Sequence, residues 1–216
     1  EEGVQQGSPT SSAAFAWTIH PEVVEADRAL FEACGGGARF GQDDGYFFGT
    51  PEAVYQTLRT FDEAIGRSTG ARLRLDKCKV YTQGRPERME GAPPGLEQGC
   101  IEIGEGTWAY GINIFKVPVG EEAYVAETLR QKGQDVADII TMVREDLRAH
   151  PQELWTLTYY SLQHRITYWL RLCAPQDTLE MAETVDAAIH NAVELCTDCS
   201  FPPGATVTER LHLPAR

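Results

Sequence analysis

Apolar and polar positions along this chain predict helices near both ends and short strands between them. Ser8 is placed to cap a helix over about residues 9–32, with Pro9 as its first helical residue. Pro21 would kink or interrupt this helix, because proline lacks the backbone N–H that a helix interior needs. The run Gly35-Gly36-Gly37 would end it.

A second helix is predicted from Thr50-Pro51 to Gly70, because a cap followed by proline opens helices and glycine commonly ends them. Its core face is marked by apolar residues at helical spacing: Val54, Leu58, Phe61 and Ile65. The pattern predicts strands at residues 38–42, 46–49, 73–75, 78–81, 108–110 and 111–115. Residues 83–106 are rich in glycine and proline and predict a long surface loop.

Helical spacing dominates the second half of the chain. It predicts helices over residues 121–149 and 151–173, and a third that Asp177 or Thr178 caps. The second of these is apolar around much of its girth, which is typical of a mostly buried helix. The fold class is therefore α+β: a small antiparallel sheet with packed helices in residues 1–120, a helical bundle in residues 121–200 and a tail in residues 201–216.

Composition places the chain among ordinary globular proteins, with 42% hydrophobic and 24% charged residues in 216. No apolar run approaches the roughly 18 residues of a membrane span, and no secretory signal is visible. We therefore expect an intracellular protein without membrane partners, with nucleus and cytoplasm both open. Cys196 and Cys199 have half the spacing of a zinc site, but they also fit a helix end with reduced thiols.

The net charge of −13 bears on possible partners. Nucleic-acid-binding surfaces gain affinity through Lys and Arg contacts to phosphates, so an acidic balance disfavours a large interface of that kind. One basic cluster stands out: Arg67, Arg72, Arg74, Lys77 and Lys79. It either faces nucleic acid or pairs with acidic neighbours.

Asp43 and Asp44 are the most informative candidates for chemistry. They lie between two short strand-forming runs, and Asp-Asp-Gly in that setting is a hairpin-turn signal. Such a turn would hold two carboxylates at the tip of a hairpin, where they suit a hard divalent cation. By itself the motif is equally typical of an ordinary solvated turn.

Five segments in order resemble the C-terminal half of a reverse transcriptase domain of the non-LTR retrotransposon kind. They are the Gln-Gly-Ser-Pro segment at residues 6–9, the Asp43-Asp44 hairpin, residues 70–80, residues 111–120 and residues 162–171. The resemblance covers residues 3–196, and it implies a partial palm in residues 1–120 followed by a helical thumb in residues 121–200.

The resemblance also implies roles for individual residues. Gln6, Gly7, Ser8 and Pro9 would contact the template and the incoming nucleotide. Asp43 and Asp44 would belong to a two-ion Mg²⁺ site, and Lys77 would lie near the nucleotide phosphates. Five residues would form the hairpin that grips the primer strand: Lys116, Val117, Pro118, Val119 and Gly120. RNA or DNA template-primer would be the partner of such an enzyme.

The chain departs from the family pattern at several positions. Gly41 and Gln42 replace the family's aromatic and small residues before the first aspartate, Arg74 replaces a frequent Asn, and Lys116 replaces a frequent Gly. The family's other catalytic aspartate precedes the segment that starts at Gln6, and this chain begins at Glu1. We therefore expect RNA-directed DNA polymerase activity only together with an upstream fingers and palm segment.

Two other functions remain open. The first is a non-catalytic structural subunit of a larger protein or ribonucleoprotein assembly, in which other chains cover the half-palm. The second is a nucleic-acid-binding module without catalysis, which the acidic balance makes the least favoured of the three.

Overall fold

The computed structural model of the chain describes residues 10–41, 44–83 and 90–200. The protein is α+β, and it divides into two compact units, Glu1–Glu121 and Glu122–Arg216. We call them the sheet unit and the helical unit. No helix in the described ranges combines the length and the apolar character that crossing a membrane requires.

Two long helices, α1 (Ser11–Cys34) and α2 (Pro51–Thr69), frame the sheet unit. Of the two effects expected at Pro21, a kink or an interruption, the interruption is wrong: α1 continues through this residue, and the buried Ile19 and Ala26 anchor the helix on either side. The helix ends at Gly35, whose φ of 69° is left-handed. The predicted ends of α2 are confirmed, with Thr50 at its N-cap and Gly70 at its C-cap.

In the described ranges of the sheet unit, the strands form three small sheets. The first pairs β1 (Gly37–Gly41) with β2 (Asp44–Phe48), antiparallel. The second pairs the two-residue strands β3 (Lys79–Val80) and β4 (Glu97–Gln98), parallel. The third is antiparallel and has the order β5 (Cys100–Gly104), β6 (Thr107–Ile114), β7 (Val117–Gly120).

Two predictions in this region are wrong. The surface loop expected over residues 83–106 contains β4 and β5, since Ile101 and the residues around it pair with β6. A short alternating run between glycines gives a weak signal, and the proline and glycine content outweighed it. The strand expected at residues 73–75 is replaced by a 3₁₀ turn, Leu75–Lys77, in which the Lys77 N–H donates to the Arg74 carbonyl oxygen.

The helical unit contains α3 (Glu122–Asp146), α4 (Pro151–Tyr160), α5 (Thr167–Leu172) and α6 (Pro175–Thr197). The single buried helix predicted over residues 151–173 is wrong. The helix α4 ends at Tyr160, and the chain continues through Ser161 into a 3₁₀ turn, Leu162–His164. This break turns Leu162 and Ile166 into the core, while Tyr160 and Leu172 stay exposed.

Each unit has its own core. In the sheet unit, Ala26 and Leu30 of α1, Ala38 of β1, and Phe61 and Ile65 of α2 are buried together. In the helical unit, the core joins all its helices except α5, whose Trp169 packs against the cluster half-buried. The β1–β2 hairpin is thus supported by two helices on one side, which positions the aspartate-bearing end of the sheet unit.

Candidate functional site

Asp44 lies at the end of the β1–β2 hairpin. Gly41 pairs with Asp44 across the hairpin, and Phe40 pairs with Gly45. Asp44 is therefore the first residue of β2, and Gly45 is the second. The turn that the sequence predicts at Asp43-Asp44-Gly45 is wrong for Asp44 and Gly45, because both belong to the strand. Gln42 and Asp43, between the paired residues, lie outside the described residues.

Aromatic packing sets this register. The rings of Phe40, Phe47 and Phe61 lie within 5.7 Å of one another by centroid distance. The Phe40 ring also covers Gly45, where an added Cβ would lie 2.5 Å from Phe40 Cε1. Gly45 therefore fills the strand position opposite a core aromatic, a role that the turn signal did not indicate.

The two faces of this hairpin have different surroundings. Residues two apart on a strand share a face, so Phe40, Gly45 and Phe47 face the α1–α2 core. Gly41, Asp44 and Tyr46 share the opposite face. Phe40 therefore does not supply an aromatic beside the carboxylate, although it is next to Gly41 in the sequence.

A side chain from another hairpin fills the space over Gly41. A Cβ added at Gly41 would lie 2.2 Å from Phe115 Cε1, so the Phe115 ring lies directly against the glycine. The rings of Phe115 and Tyr46 are 4.7 Å apart by centroid distance, and the Phe115 backbone N–H donates to the Tyr46 hydroxyl oxygen at 2.9 Å. Phe115 thus joins the β6–β7 turn to the aspartate-bearing hairpin.

The β6–β7 turn contains the first residue of the predicted primer grip. Ile114 pairs with Val117, and the two residues between them, Phe115 and Lys116, have φ values of 48° and 67°. Positive φ at both central residues is the geometry of a type I′ hairpin, which normally favours glycine or asparagine. Lys116 therefore adopts a left-handed backbone conformation that glycine adopts more easily than lysine does.

The remaining primer-grip residues lie on β7. Val117 and Pro118 pair with Ile114 and Asn113, and Val119 pairs with Ile112. Pro118 is buried and Val119 is 41% exposed, while Gly120 pairs with Gly111. The structure brings this turn to the aspartate hairpin through Phe115 and Tyr46, which the sequence analysis did not single out.

Lys77 lies apart from this contact. It ends the 3₁₀ turn Leu75–Lys77 with an exposed side chain, and no hydrogen bond or ion pair connects it to Asp44 in the described ranges. Its charge acts instead on Asp76, whose pKa is lowered first by the hydrogen bond from Arg74 and more weakly by Lys77.

The basic cluster around Lys77 is largely paired with acidic residues. Arg72 pairs with Asp62 at 3.0 Å and Arg74 with Asp76 at 2.6 Å. Lys79 pairs with Glu97 across the β3–β4 sheet. The sequence analysis left two interpretations of this cluster, contact with nucleic acid or pairing with acidic neighbours, and the structure favours the pairing.

Asp27 attaches the aspartate hairpin to α1. Its carboxylate accepts hydrogen bonds from the Ala38 backbone N–H at 2.9 Å and from the Arg39 guanidinium at 2.6 Å. The backbone hydrogen bond first, and then the Arg39 hydrogen bond, hold the pKa of Asp27 below its ordinary value. Asp27 therefore fixes the start of β1 from its position on the neighbouring helix.

The carboxylate of Asp44 is available for a ligand. It is exposed, and no described residue hydrogen-bonds to it or pairs with it. Carboxylate oxygen is the donor that Mg²⁺ prefers, so the residue type and its exposure fit the expected cation. Among the described residues, no group of three or more His, Cys, Asp or Glu side chains is arranged to hold a metal ion.

The expected nucleotide and template contacts fall on residues that precede α1 in the sequence. Gln6, Gly7, Ser8, Pro9 and Asp43 lie outside the described residues.

Cys196 packs half-buried against the helical core and Cys199 is exposed beyond the end of α6, with both thiols free. Burial raises the pKa of the Cys196 thiol.

The residues that the sequence analysis missed carry different signals. Tyr46 is two residues beyond Asp44, so strand periodicity already indicates that it shares the face of that carboxylate. Phe115 carries no such signal, because Phe-Lys is not a turn-forming pair and its partner Gly41 is 74 positions away.

No protein-family model, curated protein or solved structure matches this chain.

Proposed function

We propose that this chain is the C-terminal part of a reverse-transcriptase-like domain, with the sheet unit as a partial palm and the helical unit as a thumb. The observation that carries the proposal is the contact among Gly41, Tyr46 and Phe115. It joins the hairpin bearing the aspartate pair to the turn that would grip a primer. In a polymerase these two turns act on the same primer end.

The order of elements supports the same function. A long helix leads into the aspartate hairpin, a second helix follows it, and the β6–β7 hairpin comes just before the helical unit. This is the order that the resemblance to retrotransposon reverse transcriptases implies. The element order and the joined turns are independent of each other, since the order comes from the chain and the contact from its folding.

The activity we propose is Mg²⁺-dependent addition of deoxynucleotides to a primer 3′ end. Asp43 and Asp44 would hold the cation, which would stabilise the charge that develops on the transferred phosphoryl group. Asp44 offers an exposed carboxylate with no competing protein partner in the described part of the chain. Two-ion chemistry needs further carboxylates, so we propose that an upstream segment supplies them.

One segment of the helical unit has a composition that suits contact with a nucleic-acid strand. Residues 154–176 contain no Asp or Glu, although the chain has a net charge of −13. They do contain Arg165 and Arg171, both exposed, and the partly exposed aromatics Tyr159 and Tyr168. Arginines that contact phosphates and aromatic faces that stack on bases are the groups such surfaces use.

Primer extension tests the proposal. The protein with its longest natural upstream extension is mixed with Mg²⁺, template-primer and deoxynucleotides, and the same protein with Asp43→Ala is run beside it. We expect extension that Asp43→Ala abolishes. Asp146→Ala is the matched control, because Asp146 is an exposed carboxylate at the end of α3 and should leave extension unchanged. No extension from folded protein would contradict the proposal.

A second candidate is a non-catalytic subunit, and one observation favours it. On α1, the large apolar residues Trp17, Val24 and Phe31 recur every seventh position and are 84%, 51% and 70% exposed. A stripe of this kind marks a surface that a partner covers. Cross-linking of the natural assembly should then join this stripe to another chain, and Trp17→Ser with Phe31→Ser should remove the cross-link. Leu179→Ser, an exposed leucine on α6, is the control.

A further inference from the structure

The Phe115 ring lies where a side chain of residue 41 would be. A Cβ added at Gly41 would lie 2.2 Å from Phe115 Cε1 and 2.9 Å from Phe115 Cζ, so the edge of the ring fills that volume. Gly41 is opposite Asp44 across the hairpin, and residues opposite each other on one face have Cβ positions about 5 Å apart. The ring is therefore a close neighbour of the Asp44 side chain, although it comes from another hairpin.

Both side chains are open to a ligand. Phe115 keeps 42% of its surface exposed, even though its ring contacts Gly41 and Tyr46. Asp44 is exposed as well, and the described part of the chain offers its carboxylate no hydrogen bond or ion pair. A molecule that approached Asp44 from this face would therefore meet a carboxylate and an aromatic ring together.

Phe115 reaches this place from a strained turn. Phe115 and Lys116 have φ values of 48° and 67°, in the left-handed region that residues with a Cβ rarely adopt. The Tyr46 hydroxyl accepts the Phe115 N–H, so the hairpin that bears Asp44 supports the strained residue. Strain of this kind concentrates at sites that bind ligands or react. Since much of the ring is exposed, packing accounts for only part of what this conformation gains.

The reacting atom of the proposed function decides which part of a primer would meet this ring. The cation held by Asp43 and Asp44 would act on the primer 3′ hydroxyl, and that hydroxyl is on the terminal sugar. A group about 5 Å from the Asp44 side chain would therefore adjoin the sugar and not the base. The ring edge presents only carbon and hydrogen. The 2′ carbon of a deoxyribose does the same, whereas a ribose carries a hydroxyl there.

We propose that Phe115 packs against the terminal sugar of the primer and makes the site prefer a primer that ends in a deoxynucleotide. This inference rests on the proposed function and adds a specificity to it. The 2′ hydroxyl of a terminal ribonucleotide would lose water against the ring and gain no hydrogen bond. A buried hydroxyl without a partner weakens binding by roughly fivefold or more.

Equilibrium binding by fluorescence anisotropy, without deoxynucleotides, tests this preference. Two template-primers differ by one oxygen atom, the 2′ hydroxyl of the last primer nucleotide. The protein carries its longest natural upstream extension, and Mg²⁺ is present. We expect the primer that ends in a deoxynucleotide to bind about fivefold more tightly, or better. Equal affinities, or tighter binding of the other primer, would overturn the inference.

Two variants and one control assign the preference to the ring. Phe115→Gly removes the ring and suits the left-handed φ of this residue, so the two primers should bind equally. Adding Gly41→Phe to Phe115→Gly returns a ring from the neighbouring strand and should restore the preference. Phe31→Ala removes an exposed ring of α1 and should leave the ratio unchanged. A preference that survives Phe115→Gly would refute the assignment, whether or not the double variant folds.

Primer extension on the same samples separates this inference from the proposed function. Extension by a protein that binds both primers equally would overturn the inference alone. A preference that Phe115→Gly abolishes, without any extension, would contradict the polymerase and leave the contact with the primer end standing. No binding of either template-primer by folded protein would contradict both.

Discussion

The cores of the helical unit and the sheet unit differ in size and in how they are filled. Among the described residues, eleven are buried in the helical cluster and five in the sheet-unit cluster, so the helical unit has more apolar volume to stabilise it. The sheet unit depends instead on close approach, with aromatic rings lying against Gly41 and Gly45. Loss of volume should therefore harm the helical unit most, and added volume should harm the sheet unit most.

The largest effect should come from removing volume in the helical core. Leu129→Ala removes a fully buried side chain of α3 and should lower the free energy of unfolding by about 2–5 kcal/mol. Chemical denaturation with hydrogen exchange across α3 and α6 measures this loss. Leu179→Ala, at a position 59% exposed on α6, is the control and should change the free energy by less than about 0.5 kcal/mol.

Added volume in the sheet unit should have the next largest effect. Gly41→Ala puts a methyl group 2.2 Å from Phe115 Cε1, so the ring must move, and we expect a loss of about 1–3 kcal/mol. Denaturation of Gly41→Ala, Phe115→Ala and the double variant measures the coupling. Gly41→Ala should be nearly neutral once Phe115 is alanine, and full additivity would show that the two residues do not meet.

A glycine inside α3 sharpens the comparison, because the same substitution would stabilise an isolated helix. Gly133→Ala normally favours a helix by about 1 kcal/mol. Here the new Cβ would lie 3.0 Å from the Met181 Cα, a backbone atom of α6. We therefore expect a net loss of about 1 kcal/mol by thermal or chemical unfolding. If Gly133→Ala were instead more stable than the natural protein, α6 would move away from the new methyl group at little cost in free energy.

A smaller effect should follow from loss of one hydroxyl in the sheet unit. Tyr46→Phe removes the acceptor for the Phe115 N–H while keeping the ring contact, and should lower stability by about 0.5–1.5 kcal/mol. The sharper measurement is hydrogen exchange, in which the Phe115 amide should lose protection. Tyr168→Phe, on α5 of the helical unit, should leave that amide unchanged.

The smallest expected effect is the pH dependence of Asp27. Hydrogen bonds from Ala38 and Arg39 lower the pKa of Asp27 in the folded protein, so its stabilising contribution is present above the ordinary aspartate pKa, about 3.9. It disappears as the pH falls through the lowered value. Asp27→Asn should therefore be less stable than the natural protein at pH 7 and equally stable near pH 2. A constant difference across this range would exclude the linkage.

Predictability from sequence differed between elements for a physical reason. The ends of α2 follow from Thr50, Pro51 and Gly70 because caps act on the residues beside them. The break at Ser161 was missed because Leu162 and Ile166 turn into a core built from distant residues. The strand β5 was missed because pairing with β6 stabilises a run whose own signal is weak.

The amino-acid sequence by itself determined the α+β class, the ends of α2 and the presence of a strand on each side of residues 42–43. Only the tertiary structure decided which face of the hairpin each side chain occupies, and that Phe115 fills the space over Gly41. Local caps and periodicity act between neighbours along the chain. Strand register and close approach to a glycine depend on residues far apart in sequence, so they are fixed only when the chain folds.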